Sequence, residues 1–221
     1  MLRGLFVTGT DTGVGKTVSC AALLHRYRDV TPLRYWKPIQ TGIEQDDDTA
    51  EVRRLGGCSE REILAEGVRL RCPVSPHLAA RLNGAAIRLE DVAQVARPHA
   101  AAAAWIVEGA GGALVPVNDT ELMTDLMRML GLPVLVAARS SLGTINHTLL
   151  TVEALRGRAL RVAGVVMVGE KNAENRAAIE RYGAVPVLGE MPRWEKLDAE
   201  SLGAWARSEL DPDGRLVELL Q

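Results

Sequence analysis

The stretch Gly9-Thr10-Asp11-Thr12-Gly13-Val14-Gly15-Lys16-Thr17 constrains this chain more than any other. Three glycines followed by Lys-Thr have the composition of a loop whose backbone N–H groups wrap a polyphosphate. The run before it, Leu5-Phe6-Val7, is apolar and β-prone, and Val18 to Tyr27 reads as a helix, so the loop lies between strand and helix. In that setting Gly13, Val14 and Gly15 cradle phosphates, and Lys16 reaches the terminal ones. The Thr17 hydroxyl is a magnesium ligand, and the helix opening near Val18 points its positive end at the anion. One irregularity stands out: the general motif places four residues between its first glycine and Gly-Lys-Ser/Thr. Here five separate Gly9 from Gly15.

At 221 residues, 47% hydrophobic and 24% charged, the chain is long enough for one α/β domain spanning residues 1–221. A net charge of -2 gives no footprint for nucleic acid or a membrane surface. The longest apolar run, Ala100 to Val107, is too short to span a bilayer, and Met1 leads straight into a strand without a signal-type segment. A cytoplasmic location is the expectation. Cys20, Cys58 and Cys72 fit no metal spacing and read as reduced. The only lysines are Lys16, Lys37, Lys171 and Lys196. A lysine in this chain is therefore an informative choice.

Leu33 to Trp36 reads as the second strand, ended by Pro38, so that Lys37 projects from its carboxyl end. That edge of an open α/β sheet is where ligands bind. Asp46-Asp47-Asp48 precedes a short helix over Thr49 to Leu55, as a capping acid cluster would. Further helices are expected from Ser75-Pro76 to Leu82 and from Leu89 to Ala96. Trp105-Ile106-Val107 delivers Glu108 to the end of a buried strand, with Gly109-Ala110-Gly111-Gly112 read as a flexible loop. An unpaired carboxylate there would be costly, so Glu108 needs a partner. Strands at Pro133–Ala138, Val162–Val168 and Val185–Pro192 alternate with helices ending near Leu155, Tyr182 and Glu209, the last closing the chain. This alternation predicts a three-layer α/β fold of the P-loop NTPase type, with a mostly parallel sheet and helices on both faces. Right-handed crossovers bring Lys16, Lys37, Asp48 and Glu108 to one cleft. Lys16, Thr17 and two carboxylates suit Mg²⁺ and a nucleoside triphosphate, and Lys37 adds a second cation for phosphoryl transfer or hydrolysis.

Five segments in order resemble the dethiobiotin synthetase family. They are the loop itself with its five-residue spacing, Lys37-Pro38-Ile39-Gln40-Thr41-Gly42, Val107-Glu108-Gly109-Ala110-Gly111-Gly112, Leu142-Gly143-Thr144-Ile145-Asn146-His147, and Pro186-Val187-Leu188-Gly189-Glu190-Met191-Pro192. The resemblance implies that 7,8-diaminopelargonate, CO₂ and ATP give dethiobiotin, ADP and phosphate. A carbamate on one amine attacks the γ-phosphate, and the second amine closes the ring by displacing phosphate from the mixed anhydride. It also implies Thr17, Asp48 and Glu108 as magnesium ligands, with Lys16 and Lys37 stabilising the carbamate and the transferred group. Thr12, Thr41 and Gly111 would meet substrate. A homodimer would share its sites between chains, with Leu142, Gly143 and Asn146 binding the substrate carboxylate from the partner. Two positions depart from the family pattern. Gly13 stands where an acidic residue is common, and Val168-Gly169 stands where some members read adenine with Asn. The backbone of Val187, Leu188 and Gly189 is then the expected contact for the base. Related scaffolds are used by cobyrinate diamide synthases and by partitioning or division-site ATPases, which would make the chain a nucleotide-switched binding module. Asp11 stands where the latter carry a second lysine.

Overall fold

Seven parallel strands form the centre of the molecule, in the order β4-β2-β6-β1-β7-β8-β9. They are β1 (Gly4–Gly9), β2 (Leu33–Trp36), β4 (Ile63–Leu64), β6 (Ala104–Gly112), β7 (Val134–Arg139), β8 (Val162–Val168) and β9 (Val187–Met191). A separate two-stranded parallel ladder pairs β3 (Ile39–Thr41) with β5 (Val68–Leu70). The computed structural model describes residues 2–221, and Met1 lies outside them.

The central strands are apolar on both sides because helices cover both faces. One face packs Phe6, Trp36, Trp105, Val107, Val134 and Val136 against helices that include α4 (Leu89–Ala96) and α5 (Met123–Leu130). The other packs Leu5, Val7, Tyr35, Ile106, Leu135 and Val166 against α1 (Lys16–Tyr27), α2 (Asp48–Gly56) and α8 (Ala199–Glu209). The period of two in a strand decides which residues reach which side. Tyr35 and Lys37 share a side, as do Ile106 and Glu108, and that side faces α1.

The expected elements are present, the short strands β3, β4 and β5 are additional to them, and four further differences stand out. The glycine segment after Glu108 is not a loop: β6 runs on to Gly112, which pairs with Gly9 of β1 across a register shift. Helix α5, absent from the expectation, rests on Met123, Leu126, Met127 and Leu130 at helical spacing and stops at Gly131, whose φ is 68°. A short helix α9 (Val217–Leu220) follows α8, so α8 does not close the chain. Ser75 holds the N-cap position of α3 (Pro76–Leu82) without a side-chain cap bond. The remaining helices, α6 (Thr144–Arg156) and α7 (Ala173–Gly183), lie where the alternation puts them.

Candidate active site

The glycine-rich loop crosses the carboxyl end of β1 and turns into α1 through Gly15, which has φ 97° and ψ 25°. A side chain there would be strained, and its Cβ would lie 3.0 Å from Cγ2 of Val168. The loop is thus seated on the end of β8. Gly13 has φ 69° with open space around it, so the turn presents backbone rather than side chain. Lys16 folds back over the loop and donates to the carbonyl of Asp11 at 3.1 Å. Burial and the nearby Lys37 ammonium lower its pKa. Asp11 accepts from the Thr12 N–H at 2.7 Å and pairs with Arg139 at 2.5 Å. The Thr12 hydrogen bond, with help from Arg139, holds the Asp11 carboxyl below its usual range.

Four side chains converge below the loop. Because β2 and β6 pair Trp36 with Val107, the next residues, Lys37 and Glu108, stand side by side. Nζ of Lys37 lies 2.7 Å from Oε1 of Glu108 and 2.6 Å from Oδ2 of Asp48. It also donates to the Gly109 carbonyl at 3.1 Å. Oγ1 of Thr17 is 2.9 Å from Asp48 Oδ1 and 3.0 Å from Glu108 Oε1. Glu108 is fully buried, so its charge has to be matched, and Lys37 matches it. Burial works against the Lys37 charge, but the two carboxylates outweigh it and raise the lysine pKa. For Asp48 burial opposes ionisation, and the Lys37 charge overcomes this and lowers the carboxyl pKa.

The acidic run divides its work. Asp47 caps α2 by accepting from the Ala50 N–H at 3.0 Å, while Asp48, the first residue of that helix, turns into the site. Two participants escaped the sequence reading. Tyr35 donates to Oε2 of Glu108 at 2.8 Å, and Arg69 of β5 donates to the Lys37 carbonyl at 2.9 Å. Tyr35 was findable from its place two residues before Lys37 on the same side of a strand. Arg69 carried no comparable signal.

A cleft of about 620 Å³ opens over this cluster. Thr12, Gly13, Gly15, Lys16, Thr17, Val18, Lys37, Thr41, Asp48, Glu108 and Gly111 all line it, and Val74, Ser75 and Pro76 form its far wall. Val14 instead turns its side chain inward, toward Gly9. Val187, Leu188 and Gly189, the expected contacts for the base, do not line the cleft. They lie buried within β9, where the Val187 carbonyl accepts from Arg176 and the Leu188 carbonyl accepts from the Asp211 N–H at 2.7 Å. The carboxyl end of that strand is Met191, two residues further on. Leu142, Gly143 and Asn146 stand apart from the cleft, exposed around the start of α6, with Leu142 fully so. Thr17, Asp48 and Glu108 bring hard oxygen donors together, and such a set suits Mg²⁺ beside phosphate oxygens.

Residues 3–201 match the family described as AAA domain. Over 196 residues the chain is 46% identical to the ATP-dependent dethiobiotin synthetase BioD of Agrobacterium fabrum, covering 89% of each protein. The chain belongs to the dethiobiotin synthetase family. A second dethiobiotin synthetase, from Brucella melitensis biotype 2, is 46% identical over 198 residues and 90% of each chain. The biotin biosynthesis bifunctional protein BioCD of Bordetella avium is 45% identical over 206 residues; the match takes in 93% of this chain but 43% of that longer protein. Solved structures extend the fold of this dethiobiotin synthetase relative beyond its family. A ParA family ATPase from Chlorobium tepidum superposes with a TM-score of 0.58 at 9% identity, over 93% of this chain and 98% of that one. The Pyrococcus horikoshii septum site-determining protein MinD, complexed with Mg-ADP, gives 0.56 at 13% identity, over 99% and 94%. At such identities the likeness is one of fold.

Proposed function

We propose that this chain closes the ureido ring of 7,8-diaminopelargonate with CO₂, using Lys16, Lys37, Thr17, Asp48 and Glu108 as its working groups. It is an ATP-dependent ligase of the dethiobiotin synthetase family, and the curated relatives favour this over a ParA- or MinD-like switch. The observation that carries the residue roles is the contact of one lysine, Lys37, with both Asp48 and Glu108 beside the loop hydroxyl of Thr17.

The chemistry asks for positioning and charge neutralisation more than for proton transfer. The loop from Gly13 to Val18 holds the triphosphate with backbone N–H groups and the start of α1. Lys16 and Lys37 bracket the region where charge moves from the carbamate oxygen to the γ-phosphoryl group. Thr12, Thr41 and Gly111 line the acceptor side of the cleft. Thr17, Asp48 and Glu108 would hold Mg²⁺, which when bound neutralises and orients phosphate oxygens. The buried setting strengthens each of these interactions relative to water.

The reading extends to a single domain over residues 1–221, acting in the cytoplasm as a homodimer. No helix among the described residues is long and apolar enough to cross a membrane. The exposed Leu142, Gly143 and Asn146 suit a surface that a second copy covers, delivering them to its neighbour's substrate. Incubation of purified protein with diaminopelargonate, bicarbonate, Mg²⁺ and ATP tests the whole reading. Dethiobiotin and ADP in equal amounts are expected, and ADP release that ignores diaminopelargonate would overturn it.

A further inference from the structure

We propose that Tyr35 is a positioning residue for the metal-binding carboxylate: its hydroxyl clamps Oε2 of Glu108, so that Oε1 is the oxygen presented to Thr17, Lys37 and magnesium. The inference rests on the magnesium reading of Thr17, Asp48 and Glu108 given above.

The two acids of the site are built differently. Asp48 rides at the start of a helix with 30% of its side chain exposed, and both its contacts, Thr17 and Lys37, belong to the reacting region. Glu108 is fully buried in the sheet, and its two oxygens divide their partners. Oε1 faces Thr17 and Lys37, while Oε2 accepts from Tyr35 at 2.8 Å. Tyr35 comes from the neighbouring strand, where it pairs with Ile106, two residues before Glu108. The phenol therefore approaches along the sheet, from a strand hydrogen-bonded to the one that carries Glu108. Hydrogen-bond partners of this kind fix the orientation of ligating groups.

Removing the donor has a specific consequence here. A freed Oε2 would find Lys37 Nζ, the nearest cation, and a carboxylate turned edge-on to that lysine presents less of Oε1 to the metal. Tyr35→Phe keeps the ring that packs against the α1 face and removes only the hydroxyl.

Mn²⁺ serves as the probe, titrated by electron paramagnetic resonance into the full chain with saturating ADP. Tyr35→Phe is expected to weaken Mn²⁺ binding by about tenfold, as loss of an outer-shell partner does elsewhere. In turnover assays the Mg²⁺ half-saturation point should rise in step, with kcat at saturating Mg²⁺ held within about twofold, since the chemistry is unchanged once metal is bound. Glu108→Gln supplies the second background. If Tyr35 acts through Glu108, adding Tyr35→Phe to Glu108→Gln changes Mn²⁺ affinity by less than about twofold, the non-additivity expected of coupled sites. Equal Mn²⁺ affinity in Tyr35→Phe and parent, or a full additional loss in the double variant, overturns the positioning role. A parent protein that binds no Mn²⁺ with ADP overturns the magnesium reading, and this proposal with it. Melting temperatures of all variants separate folding from binding.

Discussion

Lys37 and Glu108 stand abreast on adjacent parallel strands, one just past the end of β2 and the other midway along β6, with Nζ of one 2.7 Å from Oε1 of the other. On the proposed reading the pair sets a buried cation beside the phosphate loop, where charge would develop during phosphoryl transfer. Lys37→Ala should lower kcat by about 10²–10³ in folded protein, the scale seen when one preorganised donor is removed. It should also cost about 3–5 kcal/mol of stability, because Glu108 is left buried without its counter-charge. Steady-state turnover measured well below the melting temperature checks the first part. Activity retained within about threefold would end the catalytic assignment.

The exposed start of α6 supports a prediction about shared sites. Lys16 lies in the cleft of its own chain, whereas Asn146 lies on the surface proposed to reach the partner's substrate. Lys16→Ala and Asn146→Ala should each be inactive alone. Mixed and allowed to exchange, they should regain part of the parent activity in hybrids that keep one intact site. Native mass spectrometry verifies that heterodimers formed, and no recovery in their presence would argue for sites built from one chain.

Buried Tyr27 supplies a stability test. Its hydroxyl donates to Asp211, which also accepts from the Leu216 N–H at 2.8 Å and the Arg215 N–H at 2.9 Å. Burial and the hydrogen bond to Asp211 push the phenol pKa well above its ordinary 10.0. The folded state thus holds a proton that the unfolded chain releases near that value, so stability is fully present below pH 10.0 and falls above it. Tyr27→Phe should cost about 1–3 kcal/mol at neutral pH, since a buried carboxylate loses a donor. It should also flatten the decline above pH 10.0. Thermal melts of both proteins across that range decide it: parallel curves would show that Tyr27 does not set the alkaline limit.

Nucleotide choice follows from Val168. That side chain packs on the phosphate loop beside Gly15, and it offers no amide to the base. Val187, Leu188 and Gly189 are sealed in β9, which leaves the backbone beyond Met191. Most affinity then comes from the triphosphate, common to all four nucleotides. CTP and GTP should support turnover within about tenfold of ATP, a difference of about 1.4 kcal/mol. Measuring kcat/KM for ATP, CTP, GTP and UTP on one preparation tests this, and a preference for ATP above about a hundredfold would refute it.

Much of this arrangement was legible in the sequence, and the unread parts have identifiable causes. Lys16, Thr17, Lys37 and Glu108 were readable because each follows an apolar run or a glycine loop in the sequence, where a polar residue stands out. Asp48 could be placed in the cleft, but its separation from Asp47 needed the helix start to be known to one residue. The glycines after Glu108 read as a loop because glycine weakens a strand. Tertiary pairing with Gly9 overrides that preference. Strands β3, β4 and β5, of two or three residues, carry too little local pattern to be seen before their partners are placed. Helix α5 is a different case, since Met123, Leu126, Met127 and Leu130 already show helical spacing. Val187 to Gly189 do not line the cleft, and in a strand this short two residues separate the buried interior from the carboxyl end.

The sheet order puts β6 between β2 and β1. Lys37, Glu108 and the phosphate loop are therefore separated by single strand spacings, each about 4.8 Å, that no loop movement alters. The far wall of the cleft is attached elsewhere: Thr41 ends the small β3–β5 ladder, and Val74 to Pro76 follow it. On the proposed reading, reaction hangs on the central sheet and recognition on this ladder, the two meeting where Arg69 donates to the Lys37 carbonyl. Drift in the ladder would retune which diamine fits without detuning the phosphoryl chemistry, and new acceptors should be sought by varying Thr41 and residues 73–76 while the strand ends are left alone.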